Sequence, residues 1–74
     1  MSKTTIVRLV KVPGGFNIQR MQDSMWLVPI GGGKTGWSNG GSVNRITILA
    51  SGHGTAKAEV ERRYPEFRVV KQSH

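Results

Sequence analysis

The sequence predicts an α+β fold: a small, mainly antiparallel sheet of four to five strands with one short helix packed on one face. Three observations predict it. Short runs rich in Ile, Val and Thr are punctuated by Pro-Gly, Gly-rich and short polar stretches, the pattern of strands and turns. Only one segment, Ala56 to Tyr64, carries helical spacing. The chain has 74 residues, enough for one hydrophobic core and no more, so residues 1–74 read as a single domain.

The elements follow in order. Thr4 to Val12 reads as a first strand stopped by Pro13-Gly14-Gly15. Phe16 to Met21 alternates, with Phe16, Ile18 and Arg20 on one face and Asn17, Gln19 and Met21 on the other. Gln22-Asp23-Ser24 makes a polar turn, and Met25 to Ile30 a third strand whose Pro29 suits an edge or a strand end. Gly31 to Ser42 holds six glycines in twelve residues. Backbone entropy disfavours ordering such a stretch, which predicts a long mobile loop over 31–42. Val43 to Ala50 reads as a fourth strand, with Ile46 and Ile48 on one face and Arg45 and Thr47 on the other. Thr55 is placed to N-cap the helix, Pro65 ends it, Phe67 to Lys71 forms a short last strand, and residues 72–74 are a tail.

The helix is too short to stand alone in water, so it must dock through Ala56, Val60 and Tyr64, spaced i, i+4, i+8. The remaining core candidates are Leu9, Ile18, Leu27, Ile46, Ile48 and Val69, with either Val7 or Val10, because Thr4 to Val12 does not alternate cleanly. Trp26, inside an apolar run, also reads as core.

Charge points to function. Eleven basic residues oppose four acidic ones, a net charge of +7. Such a balance seeks an acidic partner, either nucleic acid or an acidic protein surface. Before Thr55, Lys3, Arg8, Lys11, Arg20, Lys34 and Arg45 face only Asp23; beyond it, five basic residues meet Glu59, Glu61 and Glu66. Glu59 with Arg63 and Lys57 with Glu61 stand at i, i+4 and balance the helix. The uncompensated charge therefore lies on the strands, and Arg8, Arg20 and Arg45 form a basic plate if they share the sheet face opposite the helix. Ordinary solubilising charge on exposed strands is the competing reading.

Other classes of chemistry find little support. Gly33-Lys34-Thr35 echoes a phosphate-binding loop, but Val28 occupies the required first glycine and no helix follows. Trp37, flanked by glycines and near Lys34, reaches outward as a partner anchor or else folds back over an end of the sheet. His53 between Gly52 and Gly54 either helps to bind an anion or is an incidental loop residue. With no cysteine, one aspartate and two histidines, neither a metal site nor a nucleophile–base arrangement emerges; no cofactor, small-molecule substrate or enzymatic activity is expected. The longest apolar run, Met25 to Ile30, is too short to span a bilayer. Arg8 and Lys11 interrupt the N-terminal apolar stretch, which argues against a secretory signal.

In size, lack of cysteine, basicity and meander-plus-helix layout, the chain resembles small accessory proteins encoded by bacteriophages, among them host-takeover regulators that bind bacterial RNA polymerase. The resemblance lies in general character over the whole chain and carries over no residue. It implies a regulatory protein of the bacterial host cytoplasm that docks on the transcription machinery near nucleic acid. Two further readings stand beside it: a direct DNA- or RNA-binding protein with little sequence preference, and a small structural protein that pairs as a homodimer through an edge strand. The expected contact residues are Arg8, Lys11, Arg20, Lys34, Trp37 and Arg45.

Overall fold

A computed structural model describes residues 4–39 and 44–70. Its six strands are β1 (Thr5–Val12), β2 (Gly15–Arg20), β3 (Trp26–Gly31), β4 (Lys34–Ser38), β5 (Thr47–Ile48) and β6 (Phe67–Val69), and its helix α1 is His53–Arg63. The strands lie in the order β4-β3-β2-β1-β6, with β5 added beside β2. All pairs are antiparallel except β1 with β6, which is parallel. The sheet curls into a half-barrel with one helix, an α+β fold as the sequence predicts.

Register sorts the side chains. On β1 and β2, Leu9 lies opposite Ile18 and Lys11 opposite Phe16; Phe16 in turn pairs with Ile48, and Val7 with Val69. These residues face α1. Val7, Leu9, Phe16, Ile18, Leu27, Ile48, Phe67 and Val69 close with Ala56 and Val60 into one buried core, against which Trp37, Ile46, Ala50 and Tyr64 pack. The ambiguity in the first strand resolves to Val7, while Val10 is half-buried on the opposite face.

Two local readings are corrected. Residues 34–38 belong to a strand rather than a loop, because Gly32 and Gly33 take φ of +60° and +74° between the paired Gly31 and Lys34. Two successive positive φ values make the tight hairpin turn whose twist matches its flanking strands. Glycine enters that region without steric cost, so the residues that suggested a mobile loop are the ones that order the hairpin. Residues 40–42 of the expected loop, Val43 and the 72–74 tail lie outside the described residues. The helix begins at His53, two residues before Thr55, with Gly52 as its N-cap and no side-chain cap; Ala56 donates to the Gly52 carbonyl instead.

Among the described residues of the expected strand over 43–50, Thr47 and Ile48 alone pair with β2, because β2 offers one edge to two neighbours. β3 takes that edge at Gln19 and β5 takes it at Phe16 and Asn17. Close approach there has a consequence at Gly15, where a Cβ would collide with the carbonyl oxygen of Ile48. Gly15→Ala must push β5 away from β2, and a loss of about 1–3 kcal/mol is expected from such overpacking. A thermal melt followed by circular dichroism checks it.

Three acidic side chains hold defined partners. Asp23 accepts from Arg20 Nε and Nη2 at 3.0 and 2.6 Å. Glu59 accepts from Arg62 and Arg63, and Glu61 from Lys57 and the Val69 backbone. The Arg20 hydrogen bond holds Asp23 below the usual carboxylate range; Arg62, then Arg63, do the same for Glu59, and Lys57 for Glu61. Carboxyls depressed in the folded state stabilise it above their unfolded values and lose that contribution as pH falls through the folded ones. The melting temperature should therefore hold steady from pH 8 to 5 and decline below about pH 4. A melt series across that range, repeated for Asp23→Asn with an expected shallower decline, tests the assignment.

Candidate nucleic-acid interface

The sheet face turned away from α1 carries a row of side chains in register across four strands. Arg8 on β1 lies opposite Gln19 on β2, Gln19 opposite Trp26 on β3, and Trp26 opposite Ser38 on β4. Period-2 alternation puts them all on this face, since their chain neighbours Val7, Leu9, Ile18 and Leu27 point into the core. Val10 and Asn17 form the next row, extended to Thr47 on β5.

Hydrogen bonds hold this face in one arrangement. Arg8 Nε donates to Gln19 Oε1 at 2.6 Å, and Gln19 Nε2 donates to the Ser24 carbonyl at 3.0 Å. Ser24 is held in the turn at φ +60°, with its own N–H donating to Arg20 O. Thr47 Oγ1 donates to Asn17 Oδ1 at 2.9 Å. Both partners of these inner bonds are needed, since Asn17 and Gln19 are each only 7% exposed and a buried amide left unpaired is costly. Above the row, the Arg45 guanidinium lies 4.2 Å from the centre of the Trp26 ring. Backbone pairing of Ile46 N–H with the Leu27 carbonyl, 2.9 Å, brings that segment alongside β3.

Charge on this face is unopposed within the sheet. None of the six strands contains Asp or Glu. Arg68 lies opposite Ile6 on the same face, although its charge also acts on Glu61, which makes it a weaker member of the set.

Of the six expected contact residues, the structure brings Arg8 and Arg45 together on the open face, around Trp26. Arg20 is not part of a plate with them. It shares the helix-side parity of Phe16 and Ile18, pairs with Asp23, and lies 4.7 Å over the Trp37 ring. Lys11 is on the helix side as well, 5.2 Å from the Phe16 ring. Lys34 is exposed beside the β3–β4 turn. Trp37 sits on β4 opposite Leu27 and packs on Phe67 at 5.6 Å, closing the core rather than reaching outward. His53 meets the Phe16 ring edge-on at 6.1 Å. Trp26, expected in the core, is half-buried on the open face, and it is the residue that sequence reasoning missed. Its flanking sequence Trp-Leu-Val is apolar on both faces, so no alternation marks which side it takes.

Elsewhere, a cavity of about 660 Å³ is lined by Thr4, Thr5, Ile6, Arg20, Met21 and Gln22. Its one charged lining group, Arg20, is already satisfied by Asp23, so it lacks an open anchor for a charged ligand. Among the described residues no group of three or more His, Asp or Glu side chains is placed to hold a metal ion, and no helix is long and apolar enough to cross a membrane. The chain matches no protein-family model, no curated protein and no solved structure.

Proposed function

We propose that this protein is a non-enzymatic nucleic-acid-binding module whose open sheet face holds the polyanion, mainly through phosphates and with little sequence preference. The observation that carries this reading is the cross-strand row Arg8–Gln19–Trp26 with Arg45 stacked on the indole. Arginine guanidinium groups are strong phosphate donors, and the strands around them carry no carboxylate to compete. The face has the makeup of a binding surface rather than a catalytic one: its Arg, Gln, Asn, Thr and Trp side chains offer donors and an aromatic ring but no general acid or base working near neutral pH. The helix, with its charges internally paired, is poorly suited to enter a groove.

An acidic protein surface, such as the bacterial RNA polymerase implied by the resemblance to phage regulators, is the competing occupant. Salt separates the two. Each neutralised phosphate contributes a slope of about −0.7 for single strands or −0.9 for duplex in log affinity against log salt. Two to three arginine contacts therefore give a slope of about −1.4 to −2.7. Fluorescence anisotropy of a labelled 20-nucleotide oligomer between 50 and 300 mM NaCl measures it. Absence of binding at 50 mM salt, alongside tight and nearly salt-independent binding to purified polymerase, would overturn the proposal in favour of the protein partner.

A further inference from the structure

We infer that the nucleic acid is single-stranded and that an unpaired base stacks on the Trp26–Arg45 pair. The inference rests on the nucleic-acid reading above and names the form of ligand that the same face takes.

Three observations carry it. First, Trp26 is half-buried on the open face, and the guanidinium 4.2 Å above its ring keeps the indole from turning freely. Together the two make a flat aromatic and cationic surface, the kind on which unpaired bases stack with little regard to sequence.

Second, among the described residues no acid forms an ion pair with Arg45. Its Nε is buried and has no hydrogen-bond acceptor among the described residues, and a buried donor without a partner is unfavourable. A ligand acceptor, such as a base carbonyl or a phosphate oxygen, reaches that nitrogen once the guanidinium slides on the indole to expose it.

Third, the molecule contains a counterpart. Arg20 lies over Trp37 at 4.7 Å on the opposite side of the sheet, yet there Asp23 takes the guanidinium through two hydrogen bonds and Phe67 covers the indole. The same residue types form a closed structural contact on one face and, on the other, a pair whose guanidinium has no acidic partner among the described residues.

Position adds a constraint on the ligand. Arg8 stands two strands from Trp26 in the same row, roughly 10 Å away by strand spacing. A strand crossing the face can thus set a phosphate on Arg8 while a nearby base lies on the pair. A duplex keeps its base faces inside the stack, and exposing one requires flipping it out. For duplex ligands the pair therefore adds nothing beyond its charge.

The test uses the whole chain carrying Trp37→Phe, so that Trp26 is the sole indole. A 20-mer of deoxythymidine, the corresponding uridine 20-mer and a 20-base-pair duplex are titrated at one salt concentration. The single strands are expected to bind about tenfold or more tightly than the duplex and to quench Trp26 emission. Trp26→Ala should weaken single-strand binding about tenfold or more and leave duplex affinity within about twofold, the change expected when one base can no longer stack. Quenching is read on the intact indole, so it decides the matter even where Trp26→Ala folds poorly. Equal affinity for duplex and single strand without quenching overturns the base-stacking inference and leaves the phosphate-binding reading standing. Failure of all three oligomers to bind overturns both.

Discussion

Replacing Arg8 and Arg45 together by glutamate is expected to lower oligonucleotide affinity by about a hundredfold at 50 mM salt. Each phosphate that is no longer neutralised keeps its counterions, which weakens binding by roughly a factor of ten at that concentration, and the new carboxylates repel the backbone besides. Net charge alone predicts the same weakening for any such double reversal. The discriminating control is Lys11→Glu with Arg62→Glu, which changes charge equally but lies on the helix side and on α1. That control should retain affinity within a few-fold. The Arg8 and Arg45 variant also removes the Arg8–Gln19 hydrogen bond and the Arg45–Trp26 stacking, each worth about 1 kcal/mol. Its melting temperature should drop by several degrees for each kcal/mol of stability removed, as in any domain of this size, so binding is measured at 10 °C with the far-ultraviolet spectrum checked first. Equal weakening in both double variants would show that the charge acts diffusely and that the face is not the site.

The largest stability effect is expected at Trp37. Its ring lies on Phe67, under the Arg20 guanidinium and opposite Leu27, so Trp37→Ala opens a gap at the end of the core. Truncations of this kind cost about 3–5 kcal/mol, and the half-burial of Trp37 places it near the lower end. A core this small supplies only about 3–5 kcal/mol in all, so Trp37→Ala should be largely unfolded at 25 °C while Trp37→Phe melts cooperatively. Trp26→Ala, which removes an indole from the open face, should cost about 1 kcal/mol, chiefly its stacking with Arg45. Urea melts of the three variants rank them, and a stable Trp37→Ala would return that residue to the role of an exposed anchor.

How much of this was legible in the residues depends on which force governed each segment. Alternation worked where one face was polar. The Phe16–Ile18–Arg20 and Asn17–Gln19 split is observed in the register, and it already assigns Arg20 to the core side; treating Arg20 as part of an open basic plate set charge above periodicity. The split of Arg45 and Thr47 from Ile46 and Ile48 is observed in the same way. Helix docking through Ala56, Val60 and Tyr64 was readable because the helical stripe is short and unambiguous. Trp26 was not readable, since Leu27 and Val28 are both buried on opposite faces and hydrophobicity there carries no phase. The hairpin at Gly32-Gly33 was hidden by composition. Entropy counted over six glycines favoured disorder, whereas three of them, Gly31, Gly32 and Gly33, occupy backbone angles that only glycine adopts freely.

That two-residue turn also sets how the gene can vary. Together with the β-bulge between Pro29 and Gly31, it fixes the phase of β4 against β3, so that Trp37 lies with Leu27 and Ser38 with Trp26. Strand side chains alternate with a period of two, and a slip of one residue exchanges every side chain between faces. A single codon added to or deleted from the glycine run sends Trp37 out of the core and turns its neighbours inward, unless the bulge between Pro29 and Gly31 is lost or a second one forms to absorb the odd residue. Changes of two codons preserve the phase. Length variation at this turn is therefore constrained by parity counted over turn and bulge together: descendants of this sequence should change the hairpin tip in even steps, or in odd steps that also remove or add a bulge.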